Sequence, residues 1–291
     1  MLDETQGGCK RLETELAEHP LAQRFQDLGP HDVLAAIESA GFQCTGRLMA
    51  LNSYENRVYQ VDTNDGSGIV AKFYRPGRWS VETIEDEHDF LFELADAGVA
   101  VAQPHLIGGE YSLATLPIGD SGIHYALFPR IVGRVNDEPS ETELRQLGRE
   151  IAILHGVGQL QQATYRGDLS VDTWGEPALH AITESGLLPA HLTAAYTDVV
   201  QQLFELIACR LKDIPIHRIH GDCHHANLLW NEDGPIFLDF DDFLHGPAIQ
   251  DVWMLAPSID SGGQWRRTVL LQGYREVAPF DDEWIGLVEP L

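Results

Sequence analysis

The chain has 291 residues, with 19 Lys+Arg against 45 Asp+Glu for a formal net charge of −26; 44% of its residues are hydrophobic and 22% charged. That apolar share supports a packed core and excludes a disordered chain, and the length suits one large domain or two unequal lobes. The charge excludes a sequence-independent nucleic-acid binder and a protein that docks on anionic membrane, because both need a cationic face.

No apolar run approaches the roughly 18 residues of a membrane span. Asp3 and Glu4, with no apolar stretch beside them, give no secretory signal. Cys9, Cys44, Cys209 and Cys223 are too few and too scattered for a disulfide framework, so a cytoplasmic protein is expected.

Residues 1–30 are polar and read as a loosely held extension. Residues 32–40 carry helical spacing at Val33, Ile37 and Ala40, with Gly41 as the stop. The period then changes. Residues 57–62 and 68–74 are rich in β-branched and aromatic side chains, and the Asn64-Asp65-Gly66 turn between them predicts a hairpin. Ser80 caps a helix with Glu82 in its first turn, Ile84, His88 and Leu91 on its apolar side, and Gly98 at its end. Two more strands are predicted over 111–116 and 123–131. Beyond these the pattern turns helical. Ser140 and Glu143 form a capping box before the stripe Leu144, Leu147, Ile151 and Leu154. A second long helix is predicted over 191–212, with Tyr196, Val199, Leu203, Leu206 and Ile207 on one side. The expected organisation is an N-terminal extension (1–30), a small strand-rich lobe with one helix (31–131), a hinge (132–138) and a mostly helical lobe (139–291).

The densest chemical signal is His220-Gly221-Asp222-Cys223-His224-His225-Ala226-Asn227, followed by an apolar run that ends at Asp239. Two short hairpin-like strands would set Asp222, Asn227 and Asp239 at one mouth. Asn and Asp oxygens on strand ends suit Mg²⁺ that also holds phosphates, and a neighbouring carboxylate can accept a proton from an attacking hydroxyl. The order His-Gly-Asp, four residues, Asn, then a strand-borne Asp is a phosphotransferase arrangement. Its first Asp is the base, and its Asn and second Asp hold metal. On this reading Asp222 and Asp239 are catalytic, and Asn227 and Asp239 bind metal. Cys223 reads as a buried small residue, and His220 as a brace for the loop.

A phosphate donor needs a cation. Only three of the 19 cations are lysines, yet Lys72 stands in an apolar strand. An ammonium there can meet the α- and β-phosphates of ATP as a point charge. Its expected partner is Glu87, which shares the helical face of Ile84 and Leu91, with Glu85 as the rival. The loop 51–57 lacks a glycine cradle, although Ser53 and neighbouring N–H groups could reach phosphate.

These residues resemble the bilobal protein-kinase-like (α+β) fold, and within it the aminoglycoside phosphotransferase branch. The resemblance narrows to the bacterial stress-response serine/threonine kinase A family. It is carried by residues 51–59 (Leu-Asn-Ser-Tyr-Glu-Asn-Arg-Val-Tyr), 70–76 (Val-Ala-Lys-Phe-Tyr-Arg-Pro), Arg78-Trp79, Glu87-His88, 220–224 (His-Gly-Asp-Cys-His) and 246–255 (Gly-Pro-Ala-Ile-Gln-Asp-Val-Trp-Met-Leu). It implies a cytoplasmic, ATP- and Mg²⁺-dependent Ser/Thr protein kinase acting in stress response; a monomer is expected. By the same likeness Asp222 is the proton acceptor, Asn227 and Asp239 are Mg²⁺ ligands, and Ser53 and Lys72 are ATP contacts. Asp251 braces the His-Gly-Asp loop, and residues 129–134 meet adenine through their backbone. Similar proteins continue for several helices beyond the position of Leu291, and the N-terminal stretch here is the longer one.

Three other readings belong beside this one. A small-molecule kinase of the same fold would take an amino alcohol, sugar or aminoglycoside, with Asp241, Asp242 and Glu184 facing a cationic acceptor. A zinc hydrolase would use His220, His224, His225 and Asp222, but its histidines are not paired on a helix face. A catalytically impaired pseudokinase would keep the fold alone.

Overall fold

The computed structural model describes residues 27–118 and 121–291. The extension predicted over 1–30 therefore falls, up to residue 26, outside the described residues, as does Cys9. The chain divides into two compact units, one running to Phe92 and resuming over Ala102–Val132, the other formed by Glu93–Val101 with Gly133–Leu291.

The first unit is a helix on an antiparallel sheet. Helix α1 (Pro30–Ser39) starts with Pro at its first turn, and Asp32 accepts a hydrogen bond from Gly29 N at 2.9 Å. It stops as predicted where Gly41 takes φ +98°. Strands β1 (Cys44–Leu51), β2 (Arg57–Thr63), β3 (Ile69–Phe73), β4 (Ala114–Ile118) and β5 (Ser121–Pro129) form one sheet in the order β1-β2-β3-β5-β4. The β2–β3 hairpin falls at the predicted turn, and β4 and β5 lie a few residues from their predicted bounds. β1 is an edge strand that is mostly exposed and bulged between Cys44 and Leu48. It has no period-2 apolar signal, which is why the sequence does not betray it.

Alternation along β3 matters most for function. Ile69, Ala71 and Phe73 join the core under α1, with Val33, Ile37 and Leu127 among their partners. Burying Ile69 or Phe73 is worth about 1.5–3 kcal/mol each, and Ala71 less. Lys72 consequently points to the opposite face. There it meets helix α2 (Val81–Asp96), which Ser80 caps by accepting a hydrogen bond from Thr83 N at 3.2 Å.

The second unit is mainly helical. Helix α3 (Glu141–Gly158) has the predicted capping box. Ser140 accepts from Glu143 N, Glu143 accepts from Ser140 N, and Leu144, Leu147, Ile151 and Leu154 are all buried. It packs closely on α7 (Ser261–Arg275): a Cβ on Gly148 would lie 2.0 Å from Leu270 O, and one on Gly273 would lie 1.9 Å from Arg145 O. Between them in sequence come a π-helical turn (Val171–Gly175), α4 (Glu176–Glu184) and α5 (Ala190–Leu211). The helix predicted over 191–212 is α5, but its predicted apolar side is largely uncovered. Of the five residues only Ile207 is buried, and Val199 is 58% exposed. The 3.6-residue period marks a helix; it does not say which face finds a partner.

Two short antiparallel ribbons complete the unit. One pairs β6 (Ile216–Ile219) with β9 (Leu244–Pro247), and the other pairs β7 (Leu228–Trp230) with β8 (Pro235–Phe237). Helices α4 and α7, helix α6 (Ile249–Leu255) and a 3₁₀ segment (Asp282–Leu287) are not among the elements individually predicted from the sequence. Among the described residues, no helix is long and apolar enough to cross a membrane.

Candidate active site

In the first unit the expected ion pair forms. Lys72 Nζ lies 3.1 Å from Glu87 Oε1, and the two side chains are 7% and 1% exposed. Glu85, the rival, is exposed, because it stands on the outer face of α2. Burying two opposite charges this completely tolerates little error in their geometry, since either one alone would be strongly destabilising. Ser53 sits on an exposed loop between β1 and β2, and its Oγ accepts from Asn56 N at 3.2 Å. Asn56 in turn accepts from Arg75 N at 3.1 Å, and Arg75 pairs with Glu55 at 2.6 Å, which ties the loop to the segment after β3.

In the second unit the His-Gly-Asp turn leaves β6. Gly221 adopts φ +83°, and a Cβ there would meet Asp242 O at 2.3 Å, so only glycine fits. The buried Asp251 of α6 holds this turn. Its Oδ2 accepts from His220 N and from His155 Nε2, each at 2.9 Å, and its Oδ1 accepts from Gly221 N at 2.9 Å. Burial pushes the Asp251 pKa up; the hydrogen bond and charge of His155, with help from His220, more than offset this and hold it below its ordinary value. His220 braces the turn, its Nδ1 accepting from Asp222 N at 3.3 Å and its Nε2 donating to Leu238 O at 2.9 Å.

Asp222 is half-exposed. Asn227 Nδ2 donates both to its backbone oxygen at 3.0 Å and to its Oδ2 at 3.1 Å, which turns the amide oxygen of Asn227 away from the carboxylate. His224 Nε2 stands 3.5 Å from the same Oδ2. The Leu238 peptide joins the third member. Its N–H donates to Asn227 O at 2.9 Å while its C=O holds His220, and Asp239 follows directly. Asp239 is the one described non-glycine residue with positive φ, at 57°. Asp tolerates that region better than most residues, and strain of this kind concentrates where side-chain direction matters.

Cys223 is fully buried, as the buried small residue expected, and burial, followed by the charges of Asp251 and Asp222, pushes its thiol well above the usual range. The histidines do not form a zinc cage. His220 uses both ring nitrogens within the turn, and His225 Nε2 turns to Leu255 O at 3.0 Å. Among the described residues no three His, Cys, Asp or Glu side chains gather as a metal site. The amide oxygen of Asn227 and the carboxylate of Asp239 are hard donors, few in number. They fit a divalent cation that keeps water or phosphate as its other ligands.

Sequence reasoning missed His155 and the Leu238 peptide. His155 sits in the apolar stripe region of α3, where a histidine reads as packing. A backbone clamp leaves no trace in residue identity.

The first unit holds a strand-borne lysine paired with a helix glutamate, and the second a braced His-Gly-Asp turn with its asparagine and an aspartate at positive φ; each is an arrangement expected of a phosphotransferase of protein-kinase-like fold. The chain belongs to the phosphotransferase enzyme family (APH), whose family model matches residues 48–284. It is 37% identical over 268 residues to serine/threonine protein kinase RdoA of Salmonella typhimurium, covering 92% of this chain and 80% of the relative. It is 34% identical over the same length, with the same coverage, to stress response kinase A of Escherichia coli K12. Among solved structures it resembles amicoumacin kinase hAmiN in complex with AMP-PNP, Ca²⁺ and Ami (TM-score 0.75, 22% identity, 89% of this chain and 81% of that one). It also resembles a microcompartment-associated aminopropanol kinase (TM-score 0.71, 20% identity, 90% and 85% coverage).

Proposed function

We propose that this phosphotransferase moves the γ-phosphoryl group of ATP to a serine or threonine hydroxyl of a protein, as a monomeric cytoplasmic kinase of the stress response. The observation that carries the reading is the setting of Asp222. One carboxylate oxygen is tied to Asn227, and the turn behind it is held by Asp251, so Oδ1 remains to receive the proton of an incoming hydroxyl. The relative named serine/threonine protein kinase supports a protein acceptor, and the one named stress response kinase supports the stress role.

In this scheme Lys72, kept in place by Glu87, contacts the α- and β-phosphates, and Ser53 with neighbouring backbone N–H groups reaches phosphate. Asn227 and Asp239 would hold Mg²⁺, which would supply neutralisation of phosphate charge. Asp222 orients the acceptor hydroxyl and takes its proton. Catalysis is positioning and charge stabilisation, with no covalent enzyme intermediate. The net charge of −26 repels a nucleotide at long range, so the local cations must offset it.

A second reading, a small-molecule kinase, is favoured by the amicoumacin and aminopropanol kinases among the structural neighbours. The test is incubation with labelled ATP and either a general protein substrate or a panel of amino alcohols, sugars and aminoglycosides. Label in protein Ser/Thr, lost in Asp222→Asn by about a hundredfold or more while nucleotide still binds, is the expected result. Label only in a small molecule selects the second reading, and unchanged turnover in Asp222→Asn removes the base assignment.

A further inference from the structure

Behind Lys72 lies a buried chain of side chains that the phosphotransfer scheme does not use. Lys72 and Tyr74 are two residues apart and therefore share a face at the end of β3. Helix α2 meets them with consecutive residues. Glu87 reaches Lys72 at 3.1 Å, and His88 Nε2 meets Tyr74 Oη at 2.9 Å. The other imidazole nitrogen, Nδ1, meets Ser112 Oγ at 2.7 Å. The Lys72 ammonium sits over the Tyr74 ring, 4.9 Å from its centroid. Tyr74 and His88 are 2% and 0% exposed.

We infer that Tyr74, anchored by His88 and Ser112, is a positioning residue that sets the direction of the Lys72 ammonium; this rests on the reading that Lys72 meets nucleotide phosphate. A lysine side chain turns about four bonds, so each contact at its head narrows the directions the ammonium can take. The ring face of Tyr74 attracts it from another direction than the Glu87 carboxylate does, and so helps to set where its N–H bonds point. The ring can do this only if it is itself held. A buried tyrosine hydroxyl needs a partner, and His88 supplies one that is locked in turn by Ser112. The loop 51–57 offers no glycine cradle, so the aim of this one cation carries more of the phosphate recognition.

The experiment is a double-mutant cycle on the full chain. MgATP affinity is read by calorimetric titration, with KM for ATP and kcat measured separately and melting used to check folding. Tyr74→Leu is expected to weaken MgATP binding about five- to tenfold. Lys72→Met weakens it at least as much, and the double variant is no weaker than Lys72→Met alone. Tyr74→Phe and Ser112→Ala, which keep the ring and loosen its anchor, lose about two- to threefold and provide the same cycle if Tyr74→Leu does not fold. An equal loss from the Tyr74 substitution with and without Lys72 overturns the inference, since the ring then acts independently of the ammonium. Wild-type MgATP binding by Lys72→Met is a different failure: it overturns the nucleotide role of Lys72 itself, and the inference with it.

Discussion

Replacing Asp251 by asparagine changes one atom and tests what keeps the His-Gly-Asp turn in shape. The carboxylate accepts three hydrogen bonds at 2.9 Å, two from backbone N–H groups of the turn and one from His155. An asparagine amide has a single acceptor oxygen, so in either orientation its NH₂ faces at least one N–H donor. If NH₂ replaces Oδ1, Gly221 N loses its acceptor; if it replaces Oδ2, both His220 N and His155 Nε2 do. A hydrogen bond to a charged group contributes about 1.5–3 kcal/mol, and a buried donor left without a partner costs about 1–3 kcal/mol. With relaxation, a net loss of about 2–4 kcal/mol follows, a large share of the roughly 5–15 kcal/mol that holds a folded domain. At this chain length that lowers the melting temperature by about 5–15 °C. The turn carries Asp222, so kcat is expected to fall at least about tenfold while MgATP binding is kept. Thermal melting and steady-state kinetics on the same preparation check both halves. An Asp251→Asn protein with wild-type melting and wild-type kcat refutes the claim that this carboxylate holds the turn.

The same group predicts an acid limit. Its folded pKa is depressed, so its stabilisation is fully present above the unfolded value of about 3.9 and is lost as pH falls through the lower folded value. Urea midpoints of wild type should therefore drop on acidification below about pH 4 more steeply than those of Asp251→Asn, and parallel curves would contradict this. Gly148→Ala is expected to lower stability by about 2–3 kcal/mol, because its Cβ would lie 2.0 Å from the Leu270 backbone and α3 and α7 would have to separate. Gly156→Ala on the same helix, where nothing lies within 4 Å of the added carbon, is the control, and equal melting of the two would argue against the close crossing.

Much of the candidate site was legible in residue order. Lys72 stood out because an apolar strand in a lysine-poor chain carried it, and Glu87 because helical spacing placed it with Ile84 and Leu91. Asp222, Asn227 and Asp239 could be read because oxygen ligands and a base recur at fixed separations along two short strands. The capping boxes and glycine stops were equally local. β1 was not legible, since an exposed edge strand has no burial pattern to leave in its sequence. The burial of α5 was misjudged for a related reason: an apolar side is a property of the helix, whereas its partner is a property of the fold.

Local chemistry thus determined which residues could carry a phosphoryl transfer and where most elements start and stop, because caps, periods and turn residues act within a few positions of the chain. Only the tertiary structure decided how those residues are held. The grip of Asp251 and His155 on the turn, the Leu238 peptide between Asn227 and His220, and the hold of His88 and Ser112 on Tyr74 join positions far apart in sequence or act through the backbone. Such contacts arise from packing, which no run of neighbouring residues encodes.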